Sequence, residues 1–416
     1  MPTEYRRRCA AEADVLYPSR ASSSIFLMLQ LKPLTSIRFV FAMFVVFFHG
    51  LDFLKQSHTA TNWPAIILDA ISRGYIGVDF FFVLSGFILS YSYQNRLGHR
   101  RDNVAFWWAR FARIYPAYLF AFTVFLPIAI YSAALSGQSG FAMVTAGFQL
   151  TLTQSWIPAT ALEWNIPAWS LSVEAFFYAL FPFVLLRVRF LPKRHLVFLA
   201  IGAYTFSQIG ALVGSYFGPT VAESFNSILG FRDLSPNDRD LFPMYFPMFR
   251  LPEFLFGTTL GILFSRMPPL PTIWRKIALL TGCIGSGIGV VAIAPHLPEA
   301  MISNGFLMPF LGLLLFGLAY SKSKMFGHPL FVLLGDASYS VYLLHVPLWT
   351  WIQRTDFHLT HIQTSAPKIF FVLYLTSLIC ISLLSLKFIE TPARRLIRDR
   401  LQPRPSLSDL TLPSSA

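Results

Sequence analysis

The chain alternates long apolar runs with short polar segments, and many of the polar segments are basic. Ten runs approach or reach the ~20 residues a helix needs to cross a bilayer. They lie at 36–53, 74–93, 114–135, 166–186, 196–216, 251–264, 277–294, 305–320, 330–351 and 369–388. The sixth is short and contains Pro252 and Gly257, both poor residues inside a helix. The pattern predicts an all-α, polytopic transmembrane helix bundle of about ten spans.

The polar segments give this bundle a direction. Segment 94–113 holds Arg96, Arg100, Arg101, Arg110 and Arg113, whereas 136–165 has no Lys or Arg. Arg187, Arg189, Lys193 and Arg194 follow the fourth run, and Arg266, Arg275 and Lys276 follow the sixth. Lys322 and Lys324 follow the eighth, and Arg394, Arg395, Arg398, Arg400 and Arg404 the tenth. The stretch before Asn304 has no basic residue, and the longer 217–250 is mixed, with Arg232, Asp233, Asp238, Arg239 and Asp240. Lys and Arg are retained on the cytoplasmic side, so both termini are expected there. Residues 1–33, with Arg6, Arg7 and Arg8, read as a polar cytoplasmic leader, 34–390 as the membrane domain and 391–416 as a cytoplasmic tail. The apolar stretch 25–31 is too short for a cleavable signal peptide, and Met28 is an alternative start.

Composition narrows the function classes. Of 416 residues, 55% are hydrophobic and 13% charged, about half the ~25% of a soluble domain. Mean hydropathy is +0.55. The 43 Phe, 16 Tyr and 9 Trp exclude a disordered chain. The net charge of +13 is scattered between apolar runs, so no nucleic-acid partner is expected and the lipid bilayer is. Cys9, Cys283 and Cys380 lie too far apart for a disulfide framework or a metal-ligand pair, and no metal is expected.

Ionisable groups at membrane depth are costly and are functional candidates by default. Arg38 and His49 are eleven residues apart, which returns them to nearly one helix face about 16 Å apart. They can also be read as a snorkelling Arg and a capping His. Asp79 lies in the outer half of the second run, as a catalytic carboxylate or as the partner of a nearby cation. Ser85 and Gly86 beside it suit close helix packing. Glu174, in Trp169-Ser170-Leu-Ser172-Val-Glu174, sits at a depth similar to His49. A buried carboxylate needs a partner or a proton, and a His49–Glu174 pair would orient a general base for a hydroxyl. Arg250 and Glu253 are one turn apart and can pair with each other. Tyr342 and His345 add a second outer-half imidazole and candidate contacts for an acceptor. Arg110 and Arg113, at i and i+3, share a helix face and form a guanidinium fork suited to phosphate, or serve orientation alone.

These residues resemble a known family. The Arg38–His49 pair, Gly77-Val-Asp79-Phe-Phe-Phe-Val-Leu-Ser85-Gly86-Phe, Arg110–Arg113, Trp169-Ser-Leu-Ser-Val-Glu174, Ser338-Tyr-Ser-Val-Tyr342-Leu-Leu-His345 and Phe388-Ile-Glu390-Thr-Pro392 occur in its order. The set is similar to the acyltransferase family 3 membrane proteins, which O-acylate sugars and other hydroxyl acceptors, over residues 34–395. The resemblance implies a ten-span core using cytoplasmic acyl-CoA, often acetyl-CoA, as co-substrate, with no tightly bound cofactor. It implies that Arg38 and His49 are functional, with His49 central to transfer, and that Arg110 and Arg113 bind CoA. Some relatives carry an additional hydrolase domain, and this sequence is expected to act without one.

The expectation is therefore an O-acyltransferase of the bacterial inner membrane. His49, assisted by Glu174 or Asp79, would activate a sugar hydroxyl of a lipid-linked or surface glycan. Arg38, Arg110 and Arg113 would hold the donor, and Arg250, Glu253, Tyr342 and His345 the acceptor. A covalent acyl-His intermediate is the competing route. The competing function is transport of a lipid-linked sugar or small anion along the buried charges, although no paired halves mark the sequence.

Overall fold

A computed structural model describes residues 32–401 apart from 232, 269 and 322. Expectations resting on Arg6, Arg7, Arg8, Cys9, Met28, Arg232, Lys322 and Arg404 lie outside the described residues. Among these residues the chain is helical, with no strand. Ten long helices carry the fold: α1 (Lys32–Gln56), α2 (Gly77–Tyr93), α3 (Arg100–Leu135), α4 (Trp169–Val188), α5 (Lys193–Ile228), α6 (Pro247–Arg266), α7 (Thr272–Ile288), α8 (Met308–Ala319), α9 (Pro329–Leu359) and α10 (Pro367–Ser385). A π-helical turn, Leu386–Glu390, joins α10 to α11 (Thr391–Leu401).

Among the described residues nine helical stretches are long and apolar enough to cross a membrane, and α6 is not one of them. Arg250 and Glu253 dilute its apolar content, yet both are buried, as are Phe254, Phe256, Thr258 and Thr259. This helix is solvated by protein rather than lipid. The weakest apolar run is therefore the body of a largely buried 20-residue helix. Helices α3 and α5 are 36 residues each, about 54 Å long at 1.5 Å per residue. That length places Arg110 and Arg113 on α3 itself.

Helices α2 and α6 meet backbone to backbone. A Cβ on Gly257 would lie 2.0 Å from the Val83 carbonyl oxygen, and one on Gly86 2.2 Å from that of Phe254. Gly257 and Gly261 form a Gly-xxx-Gly face of the kind that draws membrane helices together. Gly257→Val is expected to destabilise the bundle by about 1–3 kcal/mol or more, because the obstructing atoms are backbone and cannot rotate away. Size-exclusion profiles of the detergent-solubilised variant, with loss of the monodisperse peak on mild heating, would show it.

Candidate active site

The interior holds a cavity of about 140 Å³ between α1, α2, α3, α4 and α9. Successive turns of α9 trace its length. Tyr339 lies under the Arg113 guanidinium, 5.6 Å from the ring centroid. One turn on, the Tyr342 hydroxyl is 2.8 Å from Ser170 Oγ. Tyr339, Tyr342, Arg113 and Ser170 all line the cavity, and Arg38 and Arg110 join them. Arg110 sits within 6 Å of the Tyr93, Phe106 and Tyr178 ring centroids. The three arginines expected to hold a donor thus share one cavity.

Glu174 lines the same cavity. It accepts hydrogen bonds from Tyr178, one turn further along α4, and from Ser85 at 3.3 Å. The expected His49–Glu174 pair does not form. Glu174 is turned toward Tyr178 on its own helix and toward α2, whereas α1 packs against α9 and gives His49 another neighbour. That neighbour is His345, with Nε2 3.3 Å from His49 Nδ1.

The hydrogen bonds fix the tautomers. His49 Nδ1 lies 3.0 Å from the Val45 carbonyl oxygen, which can only accept, so Nδ1 carries the proton. His345 Nδ1 lies 2.6 Å from the Tyr342 carbonyl oxygen and is protonated for the same reason. His345 Nε2 is then an acceptor, suited to share the His49 Nδ1 proton. Among the described residues, both hydrogen bonds of His49 use Nδ1, which leaves its Nε2 lone pair available. An imidazole oriented through one nitrogen, with the other presented as a base, is the arrangement that proton abstraction requires.

Asp79, Arg250 and Glu253 lie apart from this cavity. Arg250 Nη2 is 2.6 Å from Asp79 Oδ1 and Nη1 is 3.0 Å from Glu253 Oε1, with all three side chains at most 1% exposed. The Gly305 amide donates to Asp79 at 3.2 Å. Arg250 also sits over the Phe82 and Trp169 rings, at 5.2 and 5.7 Å. None of the three residues lines the cavity, and neither do His49 and His345; the latter pair reaches it through Tyr342, whereas Arg250 lies behind the lining residue Phe82.

Sequence reasoning did not assign a role to Tyr178 or Tyr339; it read Ser85 as a helix-packing residue and Ser170 as part of a motif only, whereas both line the cavity. Tyr178 had a usable signal, because its i+4 spacing from Glu174 puts both on one face of α4.

The lining residue Tyr342 lies 5.9 Å, ring to ring, from His345, which in turn contacts His49. An all-helical bundle with a basic cavity and an oriented imidazole next to its wall has the build of a membrane-embedded group-transfer enzyme. Residues 34–386 match the family described as "Acyltransferase domain", and the chain belongs to that family, acyltransferase family 3. It is therefore an acyl-transferring enzyme. Acyltransferase MdmB of Streptomyces mycarofaciens is 29% identical over 330 residues, covering 76% of this chain and 79% of the relative. O-acetyltransferase OatA of Staphylococcus aureus is 26% identical over 350 residues, 78% of this chain but only 53% of OatA, so the chain spans about half of that relative's length. Protein 2 in picA locus of Rhizobium radiobacter is 33% identical over 162 residues, 34% of this chain and 75% of the relative. No solved structure matches. The enzyme reading stands over the transport one.

Proposed function

We propose that the protein is an integral membrane O-acyltransferase of the bacterial inner membrane. It takes an acyl group, acetyl in the first instance, from cytoplasmic acyl-CoA and places it on a sugar hydroxyl of a lipid-linked or surface glycan. The observation that carries this reading is the Nε2 of His49, without a hydrogen-bond partner among the described residues, one residue removed from the wall of a cavity lined by three arginines. The alternation of basic loops supports a cytoplasmic position for both termini and for the arginine end. Similarity to the O-acetyltransferase OatA supports an O-linked acetyl product.

In this mechanism Arg38, Arg110 and Arg113 hold the donor phosphates, and the pantetheine arm runs along the cavity toward His49. His49 Nε2 accepts the proton of the acceptor hydroxyl as its oxygen attacks the thioester carbonyl carbon. The C–S bond breaks, the ester forms, and the thiolate recovers the proton from His49. His345 acts as a positioning residue on His49 Nδ1. Glu174, held by Tyr178 and Ser85, places a negative charge beside the arginines and the donor arm. Ser170 and Tyr342 offer hydroxyls near the reacting groups. Asp79, Arg250 and Glu253 form an internal brace rather than a substrate site.

The test is transfer from labelled acyl-CoA in membranes containing the protein, with mass spectrometry of surface glycans in cells with and without it. Transfer that persists without acyl-CoA would overturn the donor assignment. Arg110→Ala is expected to raise the KM for acyl-CoA about 10-fold, the worth of one lost charge-assisted contact, with a smaller change in kcat. Steady-state kinetics over a range of donor concentrations would check it.

A further inference from the structure

The Phe388-Ile-Glu390-Thr-Pro392 motif has no part in the mechanism above, yet its central residue is a buried carboxylate. Glu390 is the last residue of the π-helical turn after α10, and its side chain is 1% exposed. A π-turn re-aims the residues that follow it and recurs at functional sites. Glu390 Oε2 is shared by two guanidiniums. Arg113 Nη1 approaches it at 3.7 Å, and Arg394, one turn later on α11, pairs with the same oxygen. Ser340 Oγ donates to the other oxygen, Oε1, at 2.5 Å, and Ser385 Oγ lies 2.9 Å from Ser340.

One carboxylate therefore holds two like charges side by side. Arg113 lines the cavity and Arg38 lies within its electrostatic reach. Asp336 is the further acid near Arg38 and Arg394. With Arg110, the cluster has, among the described residues, four arginines against Glu390, Asp336 and the deeper Glu174. It keeps a cationic surplus, and a polyanion would relieve the repulsion. Among the described residues the Nε atoms of Arg110 and Arg394 are both buried and without a hydrogen-bond partner, so each guanidinium retains donor capacity. Arg113 and Arg394 remain 21% and 29% exposed, which leaves them open to a ligand.

We propose that Glu390 holds Arg113 and Arg394 as a clamp at the cavity rim that grips the phosphates of the acyl donor, making Arg394 a further donor-binding residue and Glu390 its positioning residue. The inference rests on the acyl-CoA reading above and deepens it. Helix α11 thereby becomes part of the donor site, because it packs against α3 and brings Arg394 to Arg113.

The test compares two donors with purified protein in nanodiscs: acetyl-CoA, and S-acetylpantetheine, which carries the same thioester without phosphates. Arg394→Ala is expected to raise the KM for acetyl-CoA about 10-fold, to leave the KM for S-acetylpantetheine unchanged, and to keep kcat within about twofold. Glu390→Gln is expected to shift the same donor preference further, because both guanidiniums lose their anchor, and Arg394→Lys to fall between. If Glu390→Gln does not fold, Arg394→Ala carries the test, since its side chain is partly exposed. Wild-type KM for acetyl-CoA in Arg394→Ala, in a protein that discriminates between the donors, overturns the clamp alone. Equal use of the two donors by the wild type overturns the phosphate-binding reading and the clamp with it.

Discussion

His49→Ala is expected to lower acyl-CoA-dependent transfer by about 10²–10⁴-fold, the usual worth of a positioned general base. The protein should remain folded, because His49 is only partly buried and its hydrogen bonds reach one carbonyl and one other imidazole. His49→Asn sharpens the test. Its side-chain amide can imitate the Nδ1–H donor toward Val45 and His345, but it offers no basic lone pair in place of Nε2. A loss as large as that of His49→Ala would place the function in Nε2. His345→Ala should lose less, up to about 10²-fold, because it orients the base rather than acting as one. Its pH–rate profile should also change shape, since His345 shares the Nδ1 proton of His49. Full activity in His49→Ala, measured with labelled acyl-CoA on membranes, would sink the mechanism. A stable acyl adduct on His49 in a rapidly quenched reaction would favour the covalent route instead.

What was legible in the sequence followed from one-dimensional quantities. Apolar length marked α1, α3 and α9, and residue spacing put Arg110 and Arg113 on one face. Depth could also be counted, which is how His49 and Glu174 came to look like partners. Depth leaves out azimuth, the side of each helix that faces a given neighbour. His49 and His345 are 296 residues apart, and their contact depends on α1 packing against α9. In that contact a Cβ on Gly335 would lie 2.0 Å from the Thr35 carbonyl oxygen. Helix α6 shows the other limit. Hydropathy measures suitability for lipid, and a helix surrounded by protein can hold Arg250 and Glu253 without showing a strong apolar signal. Glu390 was visible as a motif, but its role depends on two arginines brought together by a π-turn and a helix crossing.

The same buried charges give the second large effect. Arg250→Met is expected to destabilise the protein by about 3–5 kcal/mol, because it leaves two carboxylates in the core without their cation. Asp79 and Glu253 are both fully buried, and the Gly305 amide that donates to Asp79 cannot replace a guanidinium. The variants should follow an order set by charge balance. Asp79→Asn alone should cost less, since Arg250 keeps Glu253 at 3.0 Å. Combining Arg250→Met with Asp79→Asn should recover part of the loss, because one buried anion is removed along with the cation. Thermal unfolding in detergent would give that order, and a double-mutant cycle would isolate the pair. A substrate-binding role predicts a different pattern: Arg250→Met would keep its unfolding temperature and raise the KM for the acceptor. Rescue of stability by Asp79→Asn is open only to a brace, because removing a second substrate contact would deepen a binding defect rather than repair it.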